Sequence, residues 1–252
     1  MNREASSPIS NTLSTGHWRA DPRGCADCGI RQRCIVARLR TLASPRAPCA
    51  SLRRHRVSRG ASILRPDDPH QTVYVVKSGS AMSYLATAEG LEHVLGFALP
   101  GDTLRILDVD GGDTLCETQA LETSEICSIR FSELTALAGA SDEGLDLLFE
   151  AINEFVARQY LPHVCNGKRD IEQRIEKFLL DYSDRLADSG FRSDEFALKM
   201  TRYNIARYLG TAPETVSRKL SLLQQSGIIS VRGKNVRIND RSRLTGRVNA
   251  AA

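Results

Sequence analysis

The chain has 252 residues, enough for two modest domains, and its 25% charged and 41% hydrophobic residues are ordinary for a soluble globular protein. The first 24 residues lack the apolar core of a signal peptide, and no apolar stretch approaches the length of a membrane span, so we expect a cytoplasmic protein without a membrane partner. The formal net charge is only +4, yet residues 199–252 contain 11 Lys and Arg against 2 Asp and Glu. This basic segment predicts a polyanionic partner, with nucleic acid first.

After a polar, patternless tail at residues 1–24, the segment "CADCGIRQRC" brings Cys25, Cys28 and Cys34 close together. Three such thiols could form a disulfide, a redox pair or part of a metal centre. The total of seven cysteines is odd, and a reducing compartment disfavours disulfides, so metal or redox chemistry is the better interpretation. A metal centre would need a fourth ligand from elsewhere. Spacing alone leaves four candidates: Cys49, Cys116, Cys127 and Cys165.

Residues 62–131 contain short apolar alternations bounded by turns. The runs "TVYVVKSGSAMSYLA", "HVLGFALPGD" and "SEICSIRF" have the period-2 spacing of strands, and Gly79, Gly90 and Gly101 mark turns. Many short strands in so short a stretch predict a small barrel or roll. We therefore place a first domain, with the cysteine segment, at residues 25–140.

A long helix is predicted at residues 141–166, with Ser141 as its N-cap and Pro162 expected to kink or end it. Its apolar side consists of Leu145, Leu148, Phe149, Ile152, Phe155 and Val156. Within this stripe we expect a homodimer seam made by Leu148, Ile152, Phe155 and Val156. A second helix follows from Ile171, with Gly190 just beyond its end.

Residues 167–252 form the predicted second domain. The stretch "YNIARYLGTAPETVSRKLSLLQQSGII" has helix-turn-helix spacing, with Ala206 small at the helix crossing, Gly210 in the turn and Val216 packing the second helix onto the first. The stretch "GIISVRGKNVRI" predicts a basic two-stranded wing. Its phosphate-contacting candidates are Arg232, Lys234 and Arg237.

Three residues of the second helix share one face near its N-terminus, where a recognition helix enters the major groove. Arg218 can bind guanine, Glu214 can accept from cytosine, and Ser217 can meet either kind of base. Thr211 and Glu214 also fit a capping box, which would turn Glu214 back onto the helix. We favour base contact for Glu214 because of its two neighbours.

A roll of short strands, a long apolar helix and a winged helix-turn-helix, in this order, resemble the CRP/FNR superfamily of dimeric transcription factors over residues 25–245. The resemblance implies an α+β fold with a cyclic-nucleotide-binding-like β-roll, and no enzymatic activity. It implies three partners: double-stranded DNA, RNA polymerase and a second copy of the chain. Thr201 and Arg202 join the expected DNA-binding residues.

The superfamily's nucleotide-binding branch holds a cyclic phosphate with a Glu and an Arg-Ser pair after the Gly-Asp turn. This chain places Ile106 and Thr114–Leu115 at those positions. Without an arginine for the phosphate charge, we expect no cyclic nucleotide ligand.

The cysteine spacing, the segment "QALETSEICSIRF" and the helix-turn-helix are instead similar to the oxygen-responsive FNR branch. This resemblance implies Cys127 as the fourth ligand beside Cys25, Cys28 and Cys34, and a 4Fe–4S cluster as the cofactor. It also implies that the cluster-bound dimer binds a palindrome like TTGAT-N4-ATCAA under low oxygen. Arg33 departs from the branch, which commonly has an apolar residue before this cysteine.

Two other hypotheses use the same cysteines. Four thiolates could hold a structural zinc ion in a constitutive DNA-binding factor, although such sites more often show paired Cys-x2-Cys units. Cys25 and Cys28 could instead be the dithiol of a redox enzyme, but the βαβ context typical of such a pair is missing from the sequence pattern.

Overall fold

The computed structural model describes residues 25–43, 51–64, 71–86, 92–105, 116–165 and 170–249. The helices are α1 Ile35–Ala43, α2 Phe131–Ala138, α3 Asp142–Cys165, α4 Ile171–Asp188, α5 Arg202–Leu209, α6 Pro213–Gln225 and α7 Arg241–Asn249. The strands are β1 Arg53–Val57, β2 Ser62–Leu64, β3 Thr72–Ser78, β4 Ala81–Ala86, β5 Glu92–Ala98, β6 Thr103–Arg105, β7 Cys116–Ala120, β8 Ser124–Arg130, β9 Glu195–Ala197, β10 Ile229–Arg232 and β11 Asn235–Ile238. No helix within these ranges is long and apolar enough to cross a membrane.

The first eight strands form two antiparallel sheets, ordered β1-β8-β3-β6 and β2-β7-β4-β5. Alternate residues of both sheets face each other and fill the interior, among them Val76 and Ile126 from one sheet and Ala81 and Ala120 from the other. Gly79, with φ of 87°, makes the turn between β3 and β4. The predicted β-roll is therefore confirmed, although predicted turn residue Gly90 lies outside the described residues.

The outer faces of the two sheets carry different parts of the chain. On the outer face of the first sheet, Val73, Val75 and Ile129 pack in one cluster with α1, α2 and the start of α3. On the outer face of the second, Phe97 and Leu99 share a cluster with the core of the C-terminal domain, the part from α4 to α7. The β-roll thus has three layers of contact: one interior and two outer faces.

The long helix α3 begins as predicted, with Ser141 Oγ accepting a hydrogen bond from the Gly144 N–H at 3.1 Å. The helix continues through Pro162 to Cys165, so the proline does not end it; of the two expected effects, ending is wrong and a kink stays a prediction. A proline removes only its own backbone donor, and close to a helix end few bonds remain to be lost.

The C-terminal domain contains a helix-turn-helix and a small sheet ordered β10-β11-β9. Asp170 caps α4 by accepting from the Gln173 N–H at 2.8 Å, and Gly190, with φ of 76°, follows the helix as predicted. Phe97 of the β-roll inserts into this domain, with its ring centroid 5.3 Å from that of Tyr208 and 6.0 Å from that of Phe178. The α+β fold class expected from the sequence is confirmed.

A buried ion pair that the sequence did not reveal lies between α4 and α6. Lys219 Nζ is 2.9 Å from Glu176 Oε1, and the two side chains are 3% and 1% exposed. Lys219 also contacts Glu172 at 2.7 Å, while Arg247 of α7 donates to Glu176 at 2.6 Å. One carboxylate therefore holds α6 and α7 against α4.

We expect Lys219→Met to lower the free energy of unfolding by about 3 kcal/mol, because removing one partner of a buried pair leaves the other charge buried, with the partly exposed Arg247 as its remaining partner among the described residues. The matched control is Lys177→Met, which removes an exposed ion pair between Lys177 and Asp181 within α4. It should lower the free energy of unfolding by about 0.3–0.5 kcal/mol. Urea unfolding at equal protein concentrations measures both values. Equal losses in the two variants would contradict a structural role for the buried pair.

Candidate functional site

The cysteine loop, defined as residues 25–34, is a chain of tight turns. The Cys28 N–H donates to the Cys25 carbonyl at 3.3 Å, and the Cys34 N–H donates to the Ile30 carbonyl at 2.9 Å. These turns fold the loop back on itself at the start of α1. Cys34 is buried in the cluster under the first sheet's outer face, and Cys25 and Cys28 pack against the same cluster half-buried.

The fold brings Cys127 to this loop through the alternation of strand β8. Ile126 faces the interior of the roll, so its neighbour Cys127 faces outward. Cys127 lies directly opposite Val75 in the register of β3 and β8, and Val75 belongs to the cluster that contains Cys34. The four cysteines of the predicted site therefore lie in one region, against one face of one sheet.

Electrostatics agree with this placement. Burial is the largest cause that raises the pKa of Cys34, to about 12, and the nearby Cys25 and Cys127 raise it further. Burial likewise raises the pKa of Cys127 to about 11, with additional repulsion from Cys25 and Cys28, while Arg54 and Lys77 pull in the other direction. The pKa values of Cys34 and Cys127 therefore both depend on cysteines from the other part of the predicted site.

The other cysteines are placed differently. Cys116 belongs to β7, in the other sheet, where it lies opposite Leu85 of β4. Cys49 and the side chain of Cys165 lie outside the described part of the chain. Within that part, no three His, Cys, Asp or Glu side chains converge closely enough to bind a single metal ion. The four thiols thus share a region without forming the compact shell of a mononuclear site.

The helix-turn-helix has the predicted internal contacts. Ala206 and Val216 are both fully buried where α5 and α6 cross. Gly210 ends α5 in the left-handed region, with φ of 67° and ψ of 47°, and its N–H donates to the Ala206 carbonyl. This geometry fixes the angle at which α6 projects from the domain.

The outer face of α6 is free for a ligand. Glu214, Ser217 and Arg218 are all exposed near its N-terminus. The N-cap of α6 is Ala212, followed by Pro213, and no side chain caps it, so the alternative capping box of Thr211 and Glu214 is not formed. Proline is favoured at the first helical position because it has no N–H to satisfy there, and Glu214 stays exposed without a capping bond.

At the start of α5, Thr201 is engaged within the protein. Its Oγ1 accepts from the Asn204 N–H at 3.1 Å, and its own N–H donates to Asn204 Oδ1 at 2.9 Å, a reciprocal capping box. Arg202 is half-buried, and burial lowers its pKa. DNA binding by Thr201 or Arg202 stays a prediction. The exposed part of this site is the backbone at the N-terminal end of α5.

One exposed pair on α5 was not predicted from the sequence. Tyr203 is 52% exposed, and the guanidinium of Arg207 lies 5.2 Å from its ring centroid. Their spacing of four residues could have indicated the contact. An aromatic ring stacked on a cation beside the helix-turn-helix adds a second basic feature to this surface.

The wing is a tight hairpin of β10 and β11. Gly233, with φ of 61°, forms its turn together with Lys234, whose carbonyl accepts from the Leu198 N–H at 2.9 Å. Arg232, Lys234 and Arg237 are exposed, as a phosphate-contacting wing requires.

The structure divides the predicted seam of α3 between two directions. Ile152 is half-buried and Val156 is 37% exposed, whereas Leu148 packs against the outer-face cluster of its own β-roll. Phe155 lines a cavity of about 580 Å³ between the β-roll, α3 and α4. The apolar residues that remain outward are joined by Leu145 and Phe149, which are 41% and 64% exposed.

The residues predicted to replace a cyclic-nucleotide site, Ile106 and Thr114–Leu115, lie outside the described residues. The absence of such a ligand therefore stays a prediction from the sequence.

Comparisons with known proteins match both halves of the chain. A cyclic nucleotide-binding domain family matches residues 54–141, and a Crp-like helix-turn-helix domain family matches residues 173–247. The Fumarate and nitrate reduction regulatory protein of Escherichia coli K12 is 31% identical over 220 residues, covering 87% of this chain and 88% of that protein. Electron transport regulator A of Shewanella oneidensis is 32% identical over the same share of the chain.

Solved structures give the same result. FixK2 from Bradyrhizobium japonicum has a TM-score of 0.69 and 28% identity, covering 79% of this chain and 98% of that one. A CooA mutant from Carboxydothermus hydrogenoformans has a TM-score of 0.64 at 22% identity and shows the likeness of fold. Since relatives above 30% identity span most of its length, the chain belongs to the CRP/FNR family of DNA-binding transcription regulators.

Proposed function

We propose that this regulator senses oxygen through a 4Fe–4S cluster bound by Cys25, Cys28, Cys34 and Cys127, and that the cluster-bound homodimer binds a palindromic operator under low oxygen in the cytoplasm, where it acts with RNA polymerase. The observation that carries the proposal is the outward position of Cys127 on the sheet face against which the other three cysteines pack.

The donor set suits iron and sulfide. Four thiolates are the usual ligands of such a cluster, and each binds a different iron, so the sulfurs are spaced more widely than around one ion. The pKa values of Cys34 and Cys127 are raised by neighbouring cysteines of the proposed set, which supports one shared site for the four thiols. Because burial raises the pKa of Cys34 and Cys127, these thiols are protonated at neutral pH and would release protons on binding iron.

When bound, the cluster supplies a centre that oxygen can destroy. The cysteines would then tie the turns of the loop to strand β8, and Cys34 would connect that tie to α1, which packs on α3. Arg54 and Lys77 lie close enough to lower the pKa of Cys127, and their positive charge would favour an anionic centre.

The second candidate is a zinc-stabilised, constitutive regulator of the same fold. Four thiolates also suit zinc, which needs them within bonding distance of one ion. An anaerobic absorption spectrum separates the two, because an iron–sulfur protein is brown with broad visible absorbance and a zinc protein is colourless. Colourless protein with one zinc per chain would favour the second candidate.

Replacing any of the four proposed ligands by serine should give folded protein with little iron, because serine keeps the size but loses the soft thiolate. The variants are Cys25→Ser, Cys28→Ser, Cys34→Ser and Cys127→Ser. Iron and acid-labile sulfide per chain, measured anaerobically, give the result, and none of the four variants should respond to oxygen.

The matched control is Cys116→Ser, because Cys116 lies in the same β-roll on the other sheet. It should retain the wild-type iron and sulfide content, as should Cys49→Ser and Cys165→Ser. A Cys116→Ser protein without iron, beside a loaded Cys127→Ser protein, would show that the fourth ligand is wrongly assigned.

We infer that α6 reads bases and the wing holds phosphates. Arg218 is exposed on the face that it shares with Glu214 and Ser217, and a guanidinium there can make two hydrogen bonds to guanine. Lys234, at the tip of the wing, is a mobile point charge suited to a phosphate. Thr201 and Arg202 would add contacts at the start of α5.

Arg218→Ala should weaken binding to the palindrome by about 1–3 kcal/mol per half-site and reduce the preference for its guanine. Lys234→Ala should instead weaken specific and scrambled DNA alike and flatten the salt dependence of the affinity. Fluorescence anisotropy with both DNAs at several salt concentrations distinguishes the two effects. An unchanged ratio of specific to scrambled affinity in Arg218→Ala would refute base reading by this residue.

The dimer seam is best assigned to the outward side of α3. Leu145, Phe149, Ile152 and Val156 follow spacings of four, three and four residues, which is the a/d pattern of two paired helices. Ile152 and Val156 were expected from the sequence. Leu148 and Phe155, the other two, contact their own protomer and would act by supporting the helix from behind.

Phe149→Glu should yield a folded monomer, because a two-fold interface meets each substitution twice and would bring two carboxylates together. The control is Glu150→Lys, a charge change at the neighbouring residue, which is directed toward Arg38 and should leave the dimer intact. Sedimentation of the iron-loaded protein measures both. A stable Phe149→Glu dimer would move the seam elsewhere.

A further inference from the structure

A buried carboxylate lies where the β-roll meets α3 and α4. Asp102, in the turn after β5, is 4% exposed, and its Oδ2 accepts from the Leu99 N–H at 2.7 Å. Burial alone would raise the pKa of Asp102, but the adjacent Arg185 and Arg158 outweigh burial and lower it. The group is therefore a charged anchor inside the protein.

Three arginines from three parts of the chain surround this anchor. Arg158 of α3 and Arg185 of α4 each pair with one Asp102 oxygen, and Arg33 of the cysteine loop lies 3.6 Å from Oδ1. Arg185 also donates to the Phe97 carbonyl at 2.6 Å. One side chain of the β-roll thus contacts the cysteine loop, the dimer helix and the C-terminal domain.

Arg33 extends this connection beyond Asp102. Its guanidinium donates to Glu154 of α3 at 3.2 Å and to Asp188 at the end of α4 at 3.5 Å. It packs closely on Gly101, where an added Cβ would lie 2.7 Å from the Cβ of Arg33. Gly101 has φ of 96°, so both the backbone and this contact require glycine.

The direct sequence neighbour of Arg33 is Cys34, a proposed cluster ligand. Movement of the loop therefore moves Arg33, and it changes the contacts with Glu154 and Asp188. Arg158 and Arg185, the other two partners of Asp102, belong to α3 and α4 and not to the loop, so loss of Arg33 would leave the carboxylate compensated. Of these ion pairs, only those that Arg33 makes would then be lost.

We propose that Arg33 is the positioning residue through which the state of the cysteine loop reaches the C-terminal domain, by holding the end of α4 through Asp188 when the loop is fixed. This inference rests on the proposed cluster function. In the loaded protein Arg33 clamps α4 to the Gly101–Asp102 turn. In the air-exposed protein the clamp opens, and the end of α4 becomes free to change its angle to the β-roll.

Hydrogen–deuterium exchange of the full chain tests this, comparing anaerobic iron-loaded and air-exposed protein in the peptide over residues 184–190. In the wild type, air exposure should speed exchange about two- to fivefold, because the stabilisation by one partly exposed ion pair corresponds to about that factor in the opening equilibrium. Arg33→Gln, with wild-type iron content, should exchange at the faster rate in both states. The control Arg38→Gln removes an exposed ion pair between Arg38 of α1 and Glu150 of α3, and it should behave as the wild type.

Asp188→Asn provides a second variant remote from the thiols, with Asp188 59% exposed. It removes only the α4 partner of Arg33 and should abolish the oxygen-dependent change in exchange rate, as Arg33→Gln does. If Arg33→Gln does not load iron, Asp188→Asn alone tests the inference. Loaded Asp188→Asn or Arg33→Gln protein that still shows the wild-type change on air exposure would overturn the inference and leave the proposed function standing. Wild-type protein that holds no iron and sulfide would instead overturn the proposed function and, with it, this inference.

Discussion

The alternation of strand β8 is the constraint on which the rest of the structure depends. Ile126 must fill the interior of the roll, because the two sheets bury their facing side chains there. Cys127 is thereby forced to the outer face, opposite Val75, where the cysteine loop and α1 pack. A shift of one residue in register would exchange the two and separate the thiol from its three partners.

The two outer faces of the roll separate the cysteines from the DNA-binding domain. The first sheet carries the thiols and the helices that lead into α3, whereas the second sheet shares its core with the C-terminal domain through Phe97 and Leu99. Lys199 adds an ion pair to Glu122 of the roll at 2.8 Å. Asp102 lies where these two arrangements meet, which adds a buried charged group to the contact between them.

Local pattern predicted much of this protein, and long-range pairing accounts for what it missed. Alternation gave the strands, and the spacing of Ala206, Gly210 and Val216 gave the helix-turn-helix, because both signals lie within a few residues. The pair of Lys219 and Glu176 joins residues far apart in sequence, so no periodicity marks it. Family resemblance indicated Cys127 as the fourth ligand, because the sequence intervals between cysteines do not show which of them lies on the sheet face next to the cysteine loop.

Oxygen titration of the loaded protein tests the central claim most directly. Small additions of oxygen to one anaerobic sample, with visible absorbance and anisotropy of a labelled palindromic DNA recorded together, compare the cluster and the DNA complex at each step. The account predicts that absorbance and bound DNA decrease together. Bleaching of the absorbance with unchanged DNA binding, or full DNA binding by protein that never had the absorbance, would contradict it.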